Sequence, residues 1–388
     1  QILAFAYDPD RSRRQAAQQC LFDELARHEL VLSSILNTVA QDHALNDSVR
    51  GHTGPMNSRH LANEVSPGVI DRMLEVAEAN YGVAHRYYRL KARLLGLPKL
   101  VTYDQYAPVI SNLPSCGFQE GRKSVLEAFA RFDPQLSEVA NLFFERRWID
   151  AEVRSNKRGG AFSASTVPSV HPYILVNWTD KLRDVSTLAH ELGHGIHQYL
   201  SRKQTYFNFH HPLTTAETAS VMGEFLAFDH MLQTTPDPRV RLGLLCGKIE
   251  DAFATVFRQT VLTRFEQLVH AARRRERLSS DQLCEFGWPT SDSMAKRSKC
   301  FPRTAGAGRT SRTSCTRRSI ATRTSLASCW CCRCTACTSR KDGRLCPGTC
   351  SCWSRVASNP PSGCWRRPGP ISRSPGSGSR DWMCWPTW

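Results

Sequence analysis

No stretch of the sequence approaches the roughly 18 consecutive apolar residues that a membrane-spanning helix needs, and no secretory signal pattern opens it. Cysteine is also scarce over residues 1–286, which contain four of the 16 cysteines. A disulfide-stabilised secreted scaffold is therefore excluded for that part of the chain. These absences favour a cytoplasmic protein with no membrane partner.

Residues 287–388 have few acidic side chains: they contain 18 basic and 3 acidic residues, and they lack Glu, Gln, His and Tyr altogether. Residues 1–286 carry 33 basic and 32 acidic residues, so the net charge of +16 comes almost entirely from the tail. A near-neutral globular part gives no electrostatic basis for nucleic-acid binding, and we predict none. The change in composition places a boundary near residue 286.

The most informative motif is HELGH at residues 190–194. On a helix, positions i and i+4 share one face, so His190 and His194 can bind one zinc ion while Glu191 lies beside it. Zinc lowers the pKa of its bound water from about 15.7 to about 7, and Glu191 is expected to act as general base and then as general acid. Apolar residues at helical spacing over residues 185–200 support a helix with one buried face.

A catalytic zinc ion typically takes three protein ligands and leaves a fourth position to water, so one more ligand is required. Glu217 is the candidate. Glu224 lies two helical turns later and is the alternative, either as the ligand or as a carboxylate that orients a histidine. His197 follows the motif and is interpreted as a hydrogen-bonded neighbour of the site. The competing interpretation of the motif is a helix with two structural histidines and an unrelated acid.

Around this motif the sequence resembles oligoendopeptidase F and the wider thimet oligopeptidase group. Residues 187–198 (TLAHELGHGIHQ) and 216–224 (AETASVMGE) carry most of the resemblance. Segments at residues 95–108, 148–150 and 157–162 agree with it in the expected order. The resemblance runs from near the N-terminus to about residue 286.

This resemblance implies a mostly helical, bowl-like peptidase that holds one Zn2+ per chain, cleaves short peptides and excludes folded proteins. In that family the residues matching His190, His194 and Glu217 bind zinc, and the residue matching Glu191 is catalytic. The family pattern is also the reason for preferring Glu217 to Glu224. Because the resembled family has a further helical region ahead of this point, we expect the N-terminus to be truncated.

Hydrophobic periodicity predicts a mainly α fold of the zincin type. Helical periodicity covers residues 12–49, 67–94 and 122–148, and one or two further helices are predicted over residues 239–277. Short β-like runs at residues 151–153 and 173–177 flank a Gly-rich turn, which predicts a small β element beside the zinc helix. Its edge is suited to pairing with an extended peptide, and an ordinary structural hairpin is the alternative.

We divide the chain into three regions. Residues 1–145 form a helical region, residues 146–286 form the zinc-binding catalytic region, and residues 287–388 form an aberrant tail that we do not expect to fold natively. A zinc ribbon is disfavoured for the tail because CxxC units do not recur in it at a suitable spacing. A disordered appendage is a second interpretation.

The interpretation that explains most of the tail is translation in the wrong reading frame. Codons permitted by residues 320–332, read one base earlier, encode a string similar to the segment after the zinc site in the resembled family. In that family the segment holds the His and Tyr side chains that hydrogen-bond the oxyanion. Losing one such donor reduces the rate by about 10²- to 10³-fold, so impaired cleavage is expected.

The sequence thus predicts a zinc-dependent metalloendopeptidase whose substrates are short peptides. The alternative is a non-catalytic protein, either a zinc-binding relic or a chain whose basic tail binds nucleic acid. The sequence determines neither the oligomeric state nor the substrate preference.

Overall fold

A computed structural model describes residues 2–295, with the backbone alone for residues 288–295. Regular structure in this range is almost entirely helical, which confirms the predicted fold class. The α-helices are α1 (Arg11–Arg27), α2 (Glu29–Val49), α3 (Asn57–Asn63), α4 (Pro67–Ala79), α5 (Tyr81–Leu94), α6 (Phe118–Phe132), α7 (Pro134–Glu145), α8 (Leu182–Ser201), α9 (Leu213–Thr234), α10 (Pro238–Phe253), α11 (Gln259–Arg273) and α12 (Ser280–Ala295).

Each of the helical stretches predicted over residues 12–49, 67–94 and 122–148 corresponds to two helices in the structure, and residues 239–277 contain α10 and α11. The break between α6 and α7 has a clear local cause: the Asp133 side chain accepts a hydrogen bond from the Gln135 amide, and Pro134 occupies the first turn of α7. Both features favour the start of a new helix. Between α10 and α11 the chain does not break, because a π-helical turn at Ala254–Arg258 joins them.

The small sheet contains β1 (Ile149–Asp150), β2 (Phe162–Ala164) and β3 (Tyr173–Leu175) in the order β1-β3-β2. β3 pairs with β1 in parallel and with β2 antiparallel. The β element beside the zinc helix is therefore confirmed, but the run at residues 151–153 is irregular and not a strand. Period-2 patterning over two or three residues is too short to locate strands, so the prediction missed both β1 and β2.

The largest core cluster surrounds α8 and α9, which pack against α6, α7 and β3. Their contact is unusually close at two glycines. A Cβ on Gly193 would lie 2.5 Å from the Ala219 carbonyl oxygen, and one on Gly223 would lie 2.6 Å from the Ala189 carbonyl oxygen. Glycine at these two positions thus lets the backbones of α8 and α9 touch.

A second cluster joins α4 and α5 to α10 and the π-helical turn. It therefore unites residues on both sides of the boundary predicted at 145/146, which stays a prediction. α12 crosses the boundary predicted at 286 and ends at Ala295. The remainder of the predicted tail lies outside the described residues. Within the described part of the chain, no helix is both long enough and apolar enough to span a membrane.

Candidate metal centre

Helix α8 has a buried apolar face and carries the two motif histidines on a different, partly exposed face. Its inner face is apolar, with Leu188 and Leu192 fully buried against the main core. His190 and His194 lie one turn apart on another face, with ring centroids 5.0 Å from each other. The side chains keep 27% and 14% of their surface exposed, so a metal ion and a substrate can reach them.

Glu217 on α9 lies opposite both imidazoles. Its Oε2 is 3.6 Å from the Nε2 of His190 and 3.6 Å from the Nε2 of His194. One donor atom from each of these three residues lies within 4.8 Å of the other two. Two donors about 2.1 Å from a tetrahedral zinc ion would be roughly 3.4 Å apart, so this donor set fits a single zinc ion.

The Glu217 carboxylate is oriented by a neighbour on its own helix. The Ser220 hydroxyl donates to Glu217 Oε2 at 2.9 Å, and Ser220 is fully buried. Gly193 lies against the same turn of α9, since a Cβ there would lie 2.7 Å from the Ser220 Cα. Close helix packing and one hydroxyl therefore hold the carboxylate opposite the histidines.

Glu224 contacts the other side of His190. Its Oε2 lies 3.3 Å from His190 Nδ1, and its Oε1 accepts a 2.6 Å hydrogen bond from Lys248 Nζ. Burial alone would raise the pKa of Glu224, but the hydrogen bond from His190 and the charge of Lys248 outweigh burial and lower this pKa to about 2. The geometry favours the orienting role for Glu224, because Nε2 of His190 faces Glu217 instead.

Glu191 is on α8, and its side chain is 7% exposed and faces the sheet. Burial raises its pKa to about 7; the charge of His190 opposes this rise, as does a backbone hydrogen bond from Ser163 on β2. Among the described residues, its Oε2 has no hydrogen-bond partner. A carboxyl with a pKa near neutrality is suited to taking up and returning a proton.

His197 is 1% exposed, and its ring stacks on that of His211 with centroids 3.8 Å apart. Burial, together with the nearby charges of His197 and His210, lowers the pKa of His211 to about 3. Burial and the neighbouring histidines also lower the pKa of His194. A low pKa keeps the His194 imidazole neutral, which is the form that binds metal.

Several residues that shape the site were not predicted from the sequence. Lys248 and the backbone of Ser163 belong to no motif with metal-ligand spacing, and only the fold brings them to the site. Ser220 lies one helical turn after Glu217, so helical spacing was a usable signal for its contact with that carboxylate. The small residue within HELGH was a usable signal for close helix packing at Gly193, because glycine is unfavourable in a helix interior without such a reason.

Two helices that present two imidazoles and a carboxylate to one point, with a second glutamate beside a short sheet, form an arrangement typical of helical metallopeptidases of the zincin type. Comparisons with known proteins agree. Residues 123–304 match the family described as "Peptidase family M3". An oligoendopeptidase F homolog from Lactococcus lactis subsp. lactis (strain IL1403) is 31% identical over 265 residues, which are 68% of this chain and 44% of that protein. Oligopeptidase PepF from Bacillus subtilis (strain 168) is 27% identical over 285 residues, which are 73% of this chain and 42% of that protein.

Solved structures show the same fold. Oligoendopeptidase F from Enterococcus faecium superimposes with a TM-score of 0.66 at 20% identity, covering 90% of this chain and 56% of its own. PZ peptidase A, solved with an inhibitor, gives a TM-score of 0.75 at 16% identity, covering 88% and 62%. Residues 123–304 thus carry a peptidase family M3 domain, and the chain is similar to oligoendopeptidase F. It spans less than half the length of the two curated relatives described above.

Proposed function

We propose that this chain is a zinc-dependent endopeptidase that hydrolyses short oligopeptides. The observation that carries the proposal is the meeting of His190, His194 and Glu217 donor atoms within 4.8 Å, with Glu191 adjacent to His190 in sequence. Zinc is a general property of the family, and the donor set supports one ion per chain. The three donors would hold the ion, which supplies Lewis acidity to polarise the substrate carbonyl and acidify the attacking water.

Glu191 takes a proton from the attacking water and returns it to the leaving amine. Its buried setting supports this role, since the raised pKa makes both protonation states accessible near neutral pH. Glu224 keeps His190 in one orientation. Ser220 does the same for Glu217 through its hydroxyl.

The substrate pairs with the edge strand β2. β2 is hydrogen-bonded to β3 on one side, and its Ser163 backbone reaches Glu191. An extended peptide added along β2 would replace the Glu191 and Gln198 side chains at the Ser163 main chain and so lie beside the catalytic glutamate, with binding through main-chain hydrogen bonds. Such recognition depends little on side chains, so it suits diverse short peptides. A cytoplasmic location and the impaired cleavage expected from the tail remain predictions.

The test combines metal analysis with peptide cleavage. The purified chain should bind one zinc per molecule, whereas His190→Ala should lose it. Glu191→Gln should keep the zinc and lose cleavage of a short fluorogenic peptide. A version with the reading frame of residues 287–388 restored should cleave faster than this chain, and equal rates would contradict our interpretation of the tail.

Two outcomes favour the non-catalytic alternatives. Zinc binding without cleavage in both the present and the restored chain would indicate a zinc-binding relic. Salt-sensitive RNA binding that is lost on deleting residues 287–388 would indicate a nucleic-acid-binding tail.

A further inference from the structure

Lys248 on α10 belongs to no motif, yet it is connected to the metal centre through two side chains. Its Nζ donates to Glu224 Oε1 at 2.6 Å, and Glu224 Oε2 lies 3.3 Å from His190 Nδ1. We infer that Lys248 is a positioning residue: it fixes the Glu224 carboxylate so that His190 keeps its proton on Nδ1 and directs Nε2 toward the metal. This inference rests on the proposed zinc site.

The surroundings of Lys248 restrict where its ammonium can go. Nζ lies 4.0 Å from the centroid of the Phe225 ring and 5.8 Å from that of Phe228. The side chain is 13% exposed, so the ammonium is partly withdrawn from water. Cation–π contacts favour the charge at the ring faces, and the carboxylate of Glu224 then takes a strong, charge-assisted hydrogen bond.

One carboxylate oxygen of Glu224 contacts Lys248 and the other contacts His190. Lys248 can therefore affect His190 through the orientation of this carboxylate. With Oε1 bound to Lys248, rotation of the carboxylate is restricted and Oε2 stays at Nδ1. Partners of this kind fix the tautomer and ring orientation of a metal-binding histidine. Without Lys248 the carboxylate is free to rotate, and His190 loses its fixed acceptor.

A cavity next to this ion pair provides a sharp experiment. It has a volume of about 220 Å³ and is lined by Ser186, Glu224, Lys248 and Asp251 among others. Arg183 is a second cation in its wall, but its guanidinium donates to the Tyr7 hydroxyl at 3.1 Å. Truncating Lys248 therefore opens space beside Glu224 that a small amine from solution can enter.

The first measurement is the zinc dissociation constant, obtained by competition with a chromogenic chelator. Lys248→Met, which retains the apolar stem against the phenylalanines, should weaken zinc binding by about 10- to 100-fold. Glu224→Gln should weaken it by a similar factor. The double variant should be no weaker than Glu224→Gln alone, because both changes break one chain of contacts. Lys123→Met is the matched control, since Lys123 faces Glu127 at 3.9 Å on an exposed surface of α6.

The second measurement reports on His190 directly. Proton resonance spectra of the zinc-loaded wild type should show the Nδ1 proton of His190 as a slowly exchanging, strongly downfield signal, because the Glu224 carboxylate accepts its hydrogen bond. In Lys248→Met that signal should move upfield or disappear through faster exchange with water. A merely structural role for Lys248 would leave this signature unchanged.

The third measurement is chemical rescue. Ethylammonium should restore zinc affinity to Lys248→Ala by binding Glu224 from the cavity, whereas ethanol should not. Rescue by the cation alone would show that position and charge at Glu224, and not packing, are what Lys248 supplies. Because rescue requires a folded protein, it also separates this role from a folding defect.

The inference is overturned if Lys248→Met binds zinc as tightly as the wild type, if Lys248→Met and Glu224→Gln are additive, or if ethylammonium has no effect. Failure of the proposed zinc site itself would give a result that can be told apart from these three. In that case the wild-type chain binds no zinc, or His190→Ala binds it unchanged, and both proposals fall together.

Discussion

Gly193 of α8 lies against Ala219 of α9 so closely that a Cβ at position 193 would come within 2.5 Å of the Ala219 carbonyl oxygen. The contact is two residues from Glu217 and one residue from His194. The spacing between the two helix backbones therefore determines whether the carboxylate reaches the imidazoles. The contact and the metal site depend on the same distance.

Gly193→Ala should force α8 and α9 apart and so weaken the site. Overpacking of this kind destabilises a protein by about 1–3 kcal/mol, which exceeds the roughly 1 kcal/mol that alanine gains over glycine in a helix. Zinc affinity should fall at least about tenfold as Glu217 moves away. Urea unfolding and chelator competition measure the two effects.

Gly82→Ala is the control, because a Cβ there meets no atom within 4 Å. An equal response of both variants would refute the role of the helix contact.

Ser220→Ala should weaken zinc binding without unfolding the protein. The hydroxyl donates to Glu217 Oε2 at 2.9 Å, and its loss leaves the carboxylate without that restraint. We expect zinc affinity to fall about tenfold, at the lower end of the range for partners of metal ligands. Titration with a chelator tests this expectation. Thr187→Ala, which removes a hydroxyl bonded to the Arg183 carbonyl oxygen on the exposed side of α8, should leave zinc affinity unchanged.

Glu191→Gln should stabilise the zinc-free protein at alkaline pH. Burial raises the pKa of Glu191 from the ordinary value of 4.5 to about 7. The folded state therefore holds this proton more tightly than the unfolded state, and stability declines as the pH rises between these two values. Above the folded pKa the penalty is complete, at roughly 2–4 kcal/mol.

Urea unfolding of the zinc-free wild type and Glu191→Gln at about pH 5 and about pH 8 measures this penalty. The two proteins should be similar in stability at the lower pH, and the variant should be the more stable at the higher pH. Glu152→Gln, a change on the exposed surface, should show no such pH dependence. A difference between wild type and Glu191→Gln that is constant with pH would contradict the buried-carboxyl explanation.

Asp104→Asn should destabilise the protein strongly. The Asp104 side chain is fully buried and accepts hydrogen bonds from Arg11 and Arg14, the latter only 4% exposed. Removing the charge leaves Arg14 buried without its counter-ion, which destabilises by about 3–5 kcal/mol. Glu75→Gln, which breaks an exposed ion pair with Arg72, should change stability by less than about 1 kcal/mol.

Asp104 also gives a pH dependence of opposite sign to that of Glu191. Burial alone would raise the pKa of Asp104, but the hydrogen bonds from Arg11 and Arg14 lower it overall. Its stabilising contribution is thus present above the ordinary carboxyl pKa and is lost as the pH falls through the lowered value. Acid unfolding of the wild type should include this loss, and Asp104→Asn should not.

The fold class and the placing of the two motif histidines on one face were accessible from sequence because each depends on a local period. Glu217 was named from the family resemblance, and its role as a zinc ligand stays a proposal. HELGH places two histidines on one helical face, and apolar residues such as Leu188 and Leu192 define the buried face without reference to any other part of the chain. The predicted β element was placed correctly at β3 for the same reason, since this short apolar run contains the aromatic Tyr173 and the β-branched Ile174.

What escaped prediction depends on contacts between distant segments. The ion pair of Lys248 with Glu224 joins α10 to α9, and a lysine on a helix carries no signal of its buried partner. β2 consists of three residues, so its alternation cannot be distinguished from a loop. The breaks at His28 and Asn80 have neither the proline nor the side-chain cap that marks the start of α7, so no comparable local signal predicted them.

The direct contact of α8 with α9 has a consequence for how this part of the molecule tolerates change. The packing of α8 against α9 at their glycines sets the distance between the histidines and Glu217. The length of the connecting segment at residues 202–212 therefore does not determine that distance. The turn at Tyr206–Asn208 includes Phe207, which is 92% exposed. Extra residues inserted at that turn should leave the imidazoles and the carboxylate in register, so this loop should tolerate lengthening.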